Sequence, residues 1–192
     1  MKQTIIGIDP GTNILGFGVI TQDKNLLQIK DVGILHMVKE EDPHLKLKAI
    51  YDFVSGLIKK HRPDALAIEA PFFGKNVQSM LKLGRAQGVA IAAAMSQEIT
   101  VTEYSPKKIK QSITGNGNAS KEQVSAMICR MLKLNEPPAF FDETDALAAA
   151  ICHSLQYRFT PESTSKTTKS PKKAVSGWAA FVKENPKKVV KK

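Results

Sequence analysis

The sequence predicts one α/β domain built on a mixed five-stranded sheet flanked by helices. Three observations carry this. The first three apolar segments follow one another across short polar turns, as an antiparallel meander does. From residue 44 onward, segments of helical and of strand periodicity alternate. Two of the strands end abruptly on a carboxylate, at Asp9 and Glu69.

Residues 4–9, TIIGID, are an apolar run closed by Asp9, and Pro10-Gly11-Thr12 turns the chain back into a second strand over 16–20. A third strand over 26–35 completes the meander. Residues 44–60 place Leu47, Ile50, Tyr51, Val54, Leu57 and Ile58 at helical spacing, and Pro63-Asp64 ends that helix. The run ALAIEA at 65–70 is a buried strand that finishes on Glu69. Residues 76–98 form an Ala- and Leu-rich helix in which Gly84 and Gly88 mark a place for close packing. A strand at 99–104 and a short helix at 106–113 precede the loop Gly115-Asn116-Gly117-Asn118. Ser120-Lys121-Glu122-Gln123 matches a capping box, which predicts a helix to residue 134. Pro137-Pro138 requires a loop over 135–141, and 142–157 (DETDALAAAICHSLQY) is the last helix.

Beyond Phe159 the composition turns to Pro, Ser, Thr and Lys, interrupted by an apolar island, GWAAFV at 177–182. This divides the chain into a folded domain, 1–158, and a Lys-rich tail, 159–192, without fixed structure. The tail holds nine lysines against two glutamates, which is +7 of the formal net charge of +10. A basic balance favours a polyanionic partner such as nucleic acid, although a Lys-rich tail can also serve solubility alone. No apolar run reaches the roughly 18 residues of a membrane span, and MKQTIIGIDPG lacks a secretory leader, so the expected compartment is the cytoplasm. Cys129 and Cys152 sit singly in helical patterns, as buried reduced thiols do.

Four acids stand out by position. Asp9 and Glu69 end apolar strands, where α/β sheets build their sites. Asp142 and Asp145 are three apart at a helix start and share a face. Three of them have ordinary explanations: Asp9 as a turn residue, Asp142 and Asp145 as caps. Glu69 has no capping duty. Gathered together, four carboxylates repel and call for a cation, and Mg²⁺ suits an all-oxygen donor set. Two such ions could drive hydrolysis of a phosphodiester.

With those positions in view, the chain resembles the RuvC-type crossover (Holliday) junction endodeoxyribonucleases of the RNase H-like superfamily. The resemblance rests on GIDPGT at 7–12 with GFGV at 16–19, AIEAPFFGKN at 67–76, LKLGRAQGVAIAAA at 81–94, EYSPKKIKQSITGNGNASKEQV at 103–124 and DETDALAAAICH at 142–153. The tail matches none of the shared motifs. The resemblance implies an RNase H-like fold and a catalytic, metal-binding quartet of Asp9, Glu69, Asp142 and Asp145. It implies two Mg²⁺ per subunit, with Mn²⁺ as a substitute, and nicks leaving 5′-phosphate ends. A homodimer acting on four-way DNA junctions and a RuvA–RuvB branch-migration complex as partner also follow from it, as does a T-rich cutting preference.

The same resemblance assigns DNA contacts. Phe72 matches an aromatic that stacks on a base near the junction, and Phe73 is a second candidate beside it. Lys110 and Lys121 match lysines close to the scissile strand, and Asn76 either touches DNA or pins its loop. Lys75, Lys107, Lys108 and Arg85 are further phosphate contacts or simply a solvated helix face. His153, two turns past Asp145, is read as core rather than as a base, leaving a metal-activated water as nucleophile. Three rivals remain at this level: an actin-like ATPase or kinase, in which 9–12 face nucleotide phosphates, an RNA-directed nuclease of the same superfamily, and a junction binder that does not cut.

Overall fold

The structure is a computed structural model that describes residues 2–71 and 76–159, with side chains through Gln156. The expectations for Phe72, Phe73, Lys75 and the tail lie outside the described residues. Among the described residues five strands and five helices follow in the expected order: β1 (Lys2–Asp9), β2 (Ile14–Asp23), β3 (Leu26–His36), α1 (Pro43–His61), β4 (Ala65–Glu69), α2 (Val77–Met95), β5 (Thr100–Tyr104), α3 (Pro106–Thr114), α4 (Lys121–Leu132) and α5 (Phe141–Phe159). They form one mixed sheet of order β3-β2-β1-β4-β5. β1, β2 and β3 pair antiparallel, while β1–β4 and β4–β5 are parallel.

Strand alternation sorts the core into two layers. Ile6 and Ile8 of β1 and Leu66 and Ile68 of β4 face α1 and α2. Ile5 and Ala67 face the other way, into the layer made by α3, α4 and α5, together with Tyr104 of β5. By the same period of two, Asp9 and Glu69 project toward α5. β2 runs longer than its apolar pattern predicts, because Thr21 and Gln22 are buried polar residues that continue the pairing with β1.

Helix starts are fixed by side-chain caps. Asp42 accepts from the His44 N–H at 2.7 Å ahead of Pro43, and Ser105 accepts from the Lys108 N–H ahead of α3. Ser120 and Gln123 complete the expected capping box at α4. Gly115, at φ 78°, ends α3 in the left-handed region. Both cysteines are free thiols, with Cys152 buried. Among the described residues no helix is long and apolar enough to cross a membrane.

A Cβ built on Gly84 or Gly88 meets no described atom within 4 Å, so neither glycine packs closely within this chain. Close packing within the chain occurs at Gly7 and Gly16. A Cβ at Gly7 would sit 2.0 Å from the Ala146 carbonyl oxygen, and one at Gly16 would sit 2.0 Å from that of Asp142. Helix α5 therefore lies directly on the main chain of β1 and β2. Over β1 its contact face is reduced to small residues such as Ala146 and Ala150, while Leu147 covers Gly18 of β2, and all three are fully buried.

Candidate active site

Three elements bring the four acids to one edge of the sheet. The register Ile8–Ile68 places Asp9 and Glu69 abreast at the next position, at the carboxyl ends of parallel strands β1 and β4. Asp9 also pairs with Gly16, the residue on which Asp142 rests. The first turn of α5 thus delivers Asp142 and Asp145 over the same edge.

The electrostatics report how tightly they are gathered. Burial pushes the Asp9 carboxyl up to about 8, and repulsion from Glu69, Asp145 and Asp142 adds to it. Glu69 is pushed up to about 7 by burial and then by Asp145, with Lys121 and Lys110 opposing. Lys121, the first residue of α4, donates from Nζ to Asp145 Oδ2 at 2.8 Å. That bond, reinforced by Asp145, Asp9 and Asp142, raises the lysine above its ordinary range. The same ammonium lies 5.7 Å from the Phe141 ring centroid.

Glu69, Asp145, Lys107, Lys110 and Lys121 line one open cleft of about 710 Å³ between the sheet edge, α3 and α4. Lys107 is exposed at its rim, and Lys110 is held by donating to the Ala119 carbonyl at 2.9 Å. Asn76 caps α2, accepting from the Ser79 N–H at 3.1 Å through Oδ1. Lys108 is exposed on α3, its backbone N–H bonded to Ser105. Arg85 is not in this cleft: it lines a separate recess on the α1–α2 side, with Lys46, Lys82 and the Thr12–Asn13 turn. His153 is buried beneath the site and bonded to Tyr104.

The donor set suits a hard divalent cation. The acids present oxygen only, and two of them are held well above their ordinary range, so a bound cation would favour their ionised form at neutral pH. As the side chains stand, among the described residues no three acidic, imidazole or thiol groups converge closely enough to hold an ion. Lys121, bonded to Asp145, already offsets part of the repulsion among the acids. Sequence reasoning did not find Gly7, Gly16 or Tyr104 as parts of the site. The signal available was the small residues of β1 and β2 set against the alanine run of α5.

Known proteins place this geometry in context. The family model for "Crossover junction endodeoxyribonuclease RuvC" matches residues 5–153. The crossover junction endodeoxyribonuclease RuvC of Cytophaga hutchinsonii is 51% identical over 189 residues, 98% of this chain and 89% of that protein. Its namesake in Bacteroides fragilis is 51% identical over 191 residues, 98% of this chain and 96% of that one. Both alignments cover 98% of this chain and so extend into the Lys-rich segment beyond the last shared motif. Among solved structures, Thermus thermophilus RuvC in complex with Holliday junction substrate superposes with a TM-score of 0.77 at 30% identity, covering 81% of this chain and 95% of that one. The yeast mitochondrial Holliday junction resolvase Ydc2, at 14% identity and a TM-score of 0.56, shares the fold.

Proposed function

The chain belongs to the RuvC family of crossover junction endodeoxyribonucleases, and from that membership we infer that it resolves Holliday junctions at the cleft where Asp9, Glu69, Asp142 and Asp145 meet. It is a metal-dependent DNA endonuclease of recombination and repair with an RNase H-like fold. The observation that carries the site assignment is the gathering of half-buried acids, in which burial first, and then repulsion from Glu69, Asp145 and Asp142, pushes Asp9 up to about 8. A fold keeps such a cluster when a ligand compensates it. We assign the ligand as Mg²⁺, two per subunit with Mn²⁺ as a substitute, held by Asp9, Glu69, Asp142 and Asp145. When bound, the ions would activate the attacking water and stabilise the leaving oxygen of an in-line displacement.

The chain's own residues supply the rest. A phosphodiester lying in the cleft meets the ammonium groups of Lys110 and Lys121, which hold it against the acids and offset charge that builds on the phosphorus oxygens. Lys107 at the rim and Asn76 at the start of α2 extend contact along the strand. Phe72, Phe73 and Lys75 are assigned to the crossover itself, where an aromatic ring on an unpaired base contributes about 1–3 kcal/mol. Hydrolysis on this plan leaves 5′-phosphate ends. A RuvA–RuvB complex would present the junction, in the cytoplasm.

The test is a synthetic four-way junction incubated with the protein and Mg²⁺, beside linear duplex, an RNA–DNA hybrid and ATP. Paired symmetric nicks are expected in the junction alone. In Glu69→Gln and Asp142→Asn the rate should fall by about 10³-fold or more while junction binding in Ca²⁺ persists. Retained cleavage in both variants would remove the assignment.

A homodimer matches a twofold junction and places two cuts symmetrically. Support comes from α2, where Val77, Leu81 and Met95 are more than 60% exposed along one stripe that also carries Gly84 and Gly88. Sedimentation should give a dimer for the native protein and a monomer for Leu81→Glu. Equal masses for the two proteins would place the dimer contact elsewhere.

A further inference from the structure

We propose that Tyr104 and His153 are a positioning pair that sets the spacing between Glu69 and Asp145, acting from beneath the site. The proposal rests on the assignment of the acids above. It begins with the register: Tyr104 ends β5 and is the parallel partner of Glu69, so both side chains leave the same face of the sheet, toward α5. The Tyr104 carbonyl also accepts from the Ala70 N–H at 2.8 Å, fixing the residue that follows Glu69. One amino acid therefore holds the end of β4 through its main chain and approaches α5 through its side chain.

On the helix, His153 lies eight residues past Asp145, about 12 Å along the axis. The Tyr104 hydroxyl is 2.9 Å from His153 Nδ1, and the rings meet edge to face with centroids 6.0 Å apart. Both residues are 9% exposed. The neighbouring Cys152 thiol donates to Ser112 Oγ at 3.3 Å, tying the same turn of α5 to α3, the helix that carries Lys107 and Lys110. The lower half of α5 is thus tied by direct hydrogen bonds to β5 and to α3.

The pair is built to hold position rather than to move protons. Burial keeps the His153 imidazole below its ordinary range and pushes the Tyr104 phenol up to about 12. Both stay neutral at the pH of cleavage, so we assign the shared proton to the phenol, donating to an unprotonated Nδ1. A neutral bond of this kind adds little net stability, and its value lies in direction. Phenylalanine and leucine would fill the same volume without defining a distance.

Three variants separate placement from stability. Tyr104→Phe removes the donor, and His153→Asn retains an acceptor for it. The double variant Tyr104→Phe/His153→Leu removes both polar groups, which restores most of the stability a single change loses. The readouts are Mn²⁺ affinity of the DNA-free protein by calorimetry and the single-turnover nicking rate on a saturating junction.

Mn²⁺ affinity and nicking rate are each expected to fall roughly 10-fold or more in Tyr104→Phe and in the double variant, with junction binding in Ca²⁺ within about twofold of wild type. His153→Asn should recover most of both. A double variant with native Mn²⁺ affinity and nicking rate would overturn the proposal, and so would Tyr104→Phe alone if the double variant does not fold. A Glu69→Gln protein that still binds Mn²⁺ and cuts would instead remove the site assignment on which the proposal rests.

Discussion

Gly16→Ala is expected to reduce junction cleavage by about 10²-fold or more while leaving the protein folded. The added methyl would lie 2.0 Å from the Asp142 carbonyl oxygen and 3.1 Å from its Cβ, far inside contact distance. Neither obstacle is the tip of a flexible side chain. The strand cannot retreat either, because Gly16 is paired to Asp9 on one side and to Ile34 on the other. The first turn of α5 must therefore lift, carrying Asp142 and Asp145 away from Asp9 and Glu69. Overpacking of this kind costs about 1–3 kcal/mol of stability, a loss that thermal unfolding would register as a lower midpoint, separate from the fall in rate. Gly56→Ala in α1 is the matched control, since nothing lies within 4 Å of its added Cβ and a helix gains about 1 kcal/mol from alanine. Native cleavage by Gly16→Ala would show that the seating of α5 does not define the site.

Asp9→Asn is expected to abolish cleavage and at the same time to stabilise the metal-free protein at pH 8. The sign follows from proton binding. An acid held near 8 in the folded state, against its ordinary value of 3.8, keeps its proton in the fold across a range where the unfolded chain has released it. Stability of the metal-free protein therefore falls as pH rises from about 4 to about 8. Glu69, pushed up to about 7, contributes in the same direction over a narrower window. Asparagine removes the Asp9 part, which amounts to roughly 2–4 kcal/mol once screening at this partly open edge is allowed for. Urea unfolding at pH 5.5 and pH 8, in EDTA and in Mg²⁺, measures it. The wild type should gain far more from Mg²⁺ at pH 8 than the variant does. Identical pH dependence in the two proteins would contradict the burial and repulsion described for Asp9.

The sequence made the elements legible because their signals are local. Short apolar runs marked β1 and β4, helical spacing marked α1 and α5, and the capping box marked the start of α4. The acids at 9, 69, 142 and 145 were legible for the same reason, since each sits where a periodic segment begins or ends. What remained hidden depends on contacts between segments far apart in the chain. Nothing near Gly16 announces that Asp142 will rest on it, and Gly84, in a more conspicuous helical setting, has open space around it. Nothing near Tyr104 announces His153, forty-nine residues away. Lys121 was visible through resemblance alone, and its bond to Asp145 spans twenty-four residues. Polar Thr21 and Gln22 hid the length of β2, because composition reads them as surface.

The seat of Lys121 also bears on attempts to make this protein hardier. It is the first residue of α4, where unpaired N–H groups and the helix dipole favour an anion. By helix chemistry alone it is among the poorest choices in the segment, and an acidic residue there would strengthen the cap. A redesign guided by helix propensity alone would therefore discard the very ammonium that bonds Asp145 and add a negative charge beside the acids, so the gain at the helix start is offset by the loss of that ion pair. At this one position the local rule for a helix start and the electrostatics of the cleft pull in opposite directions.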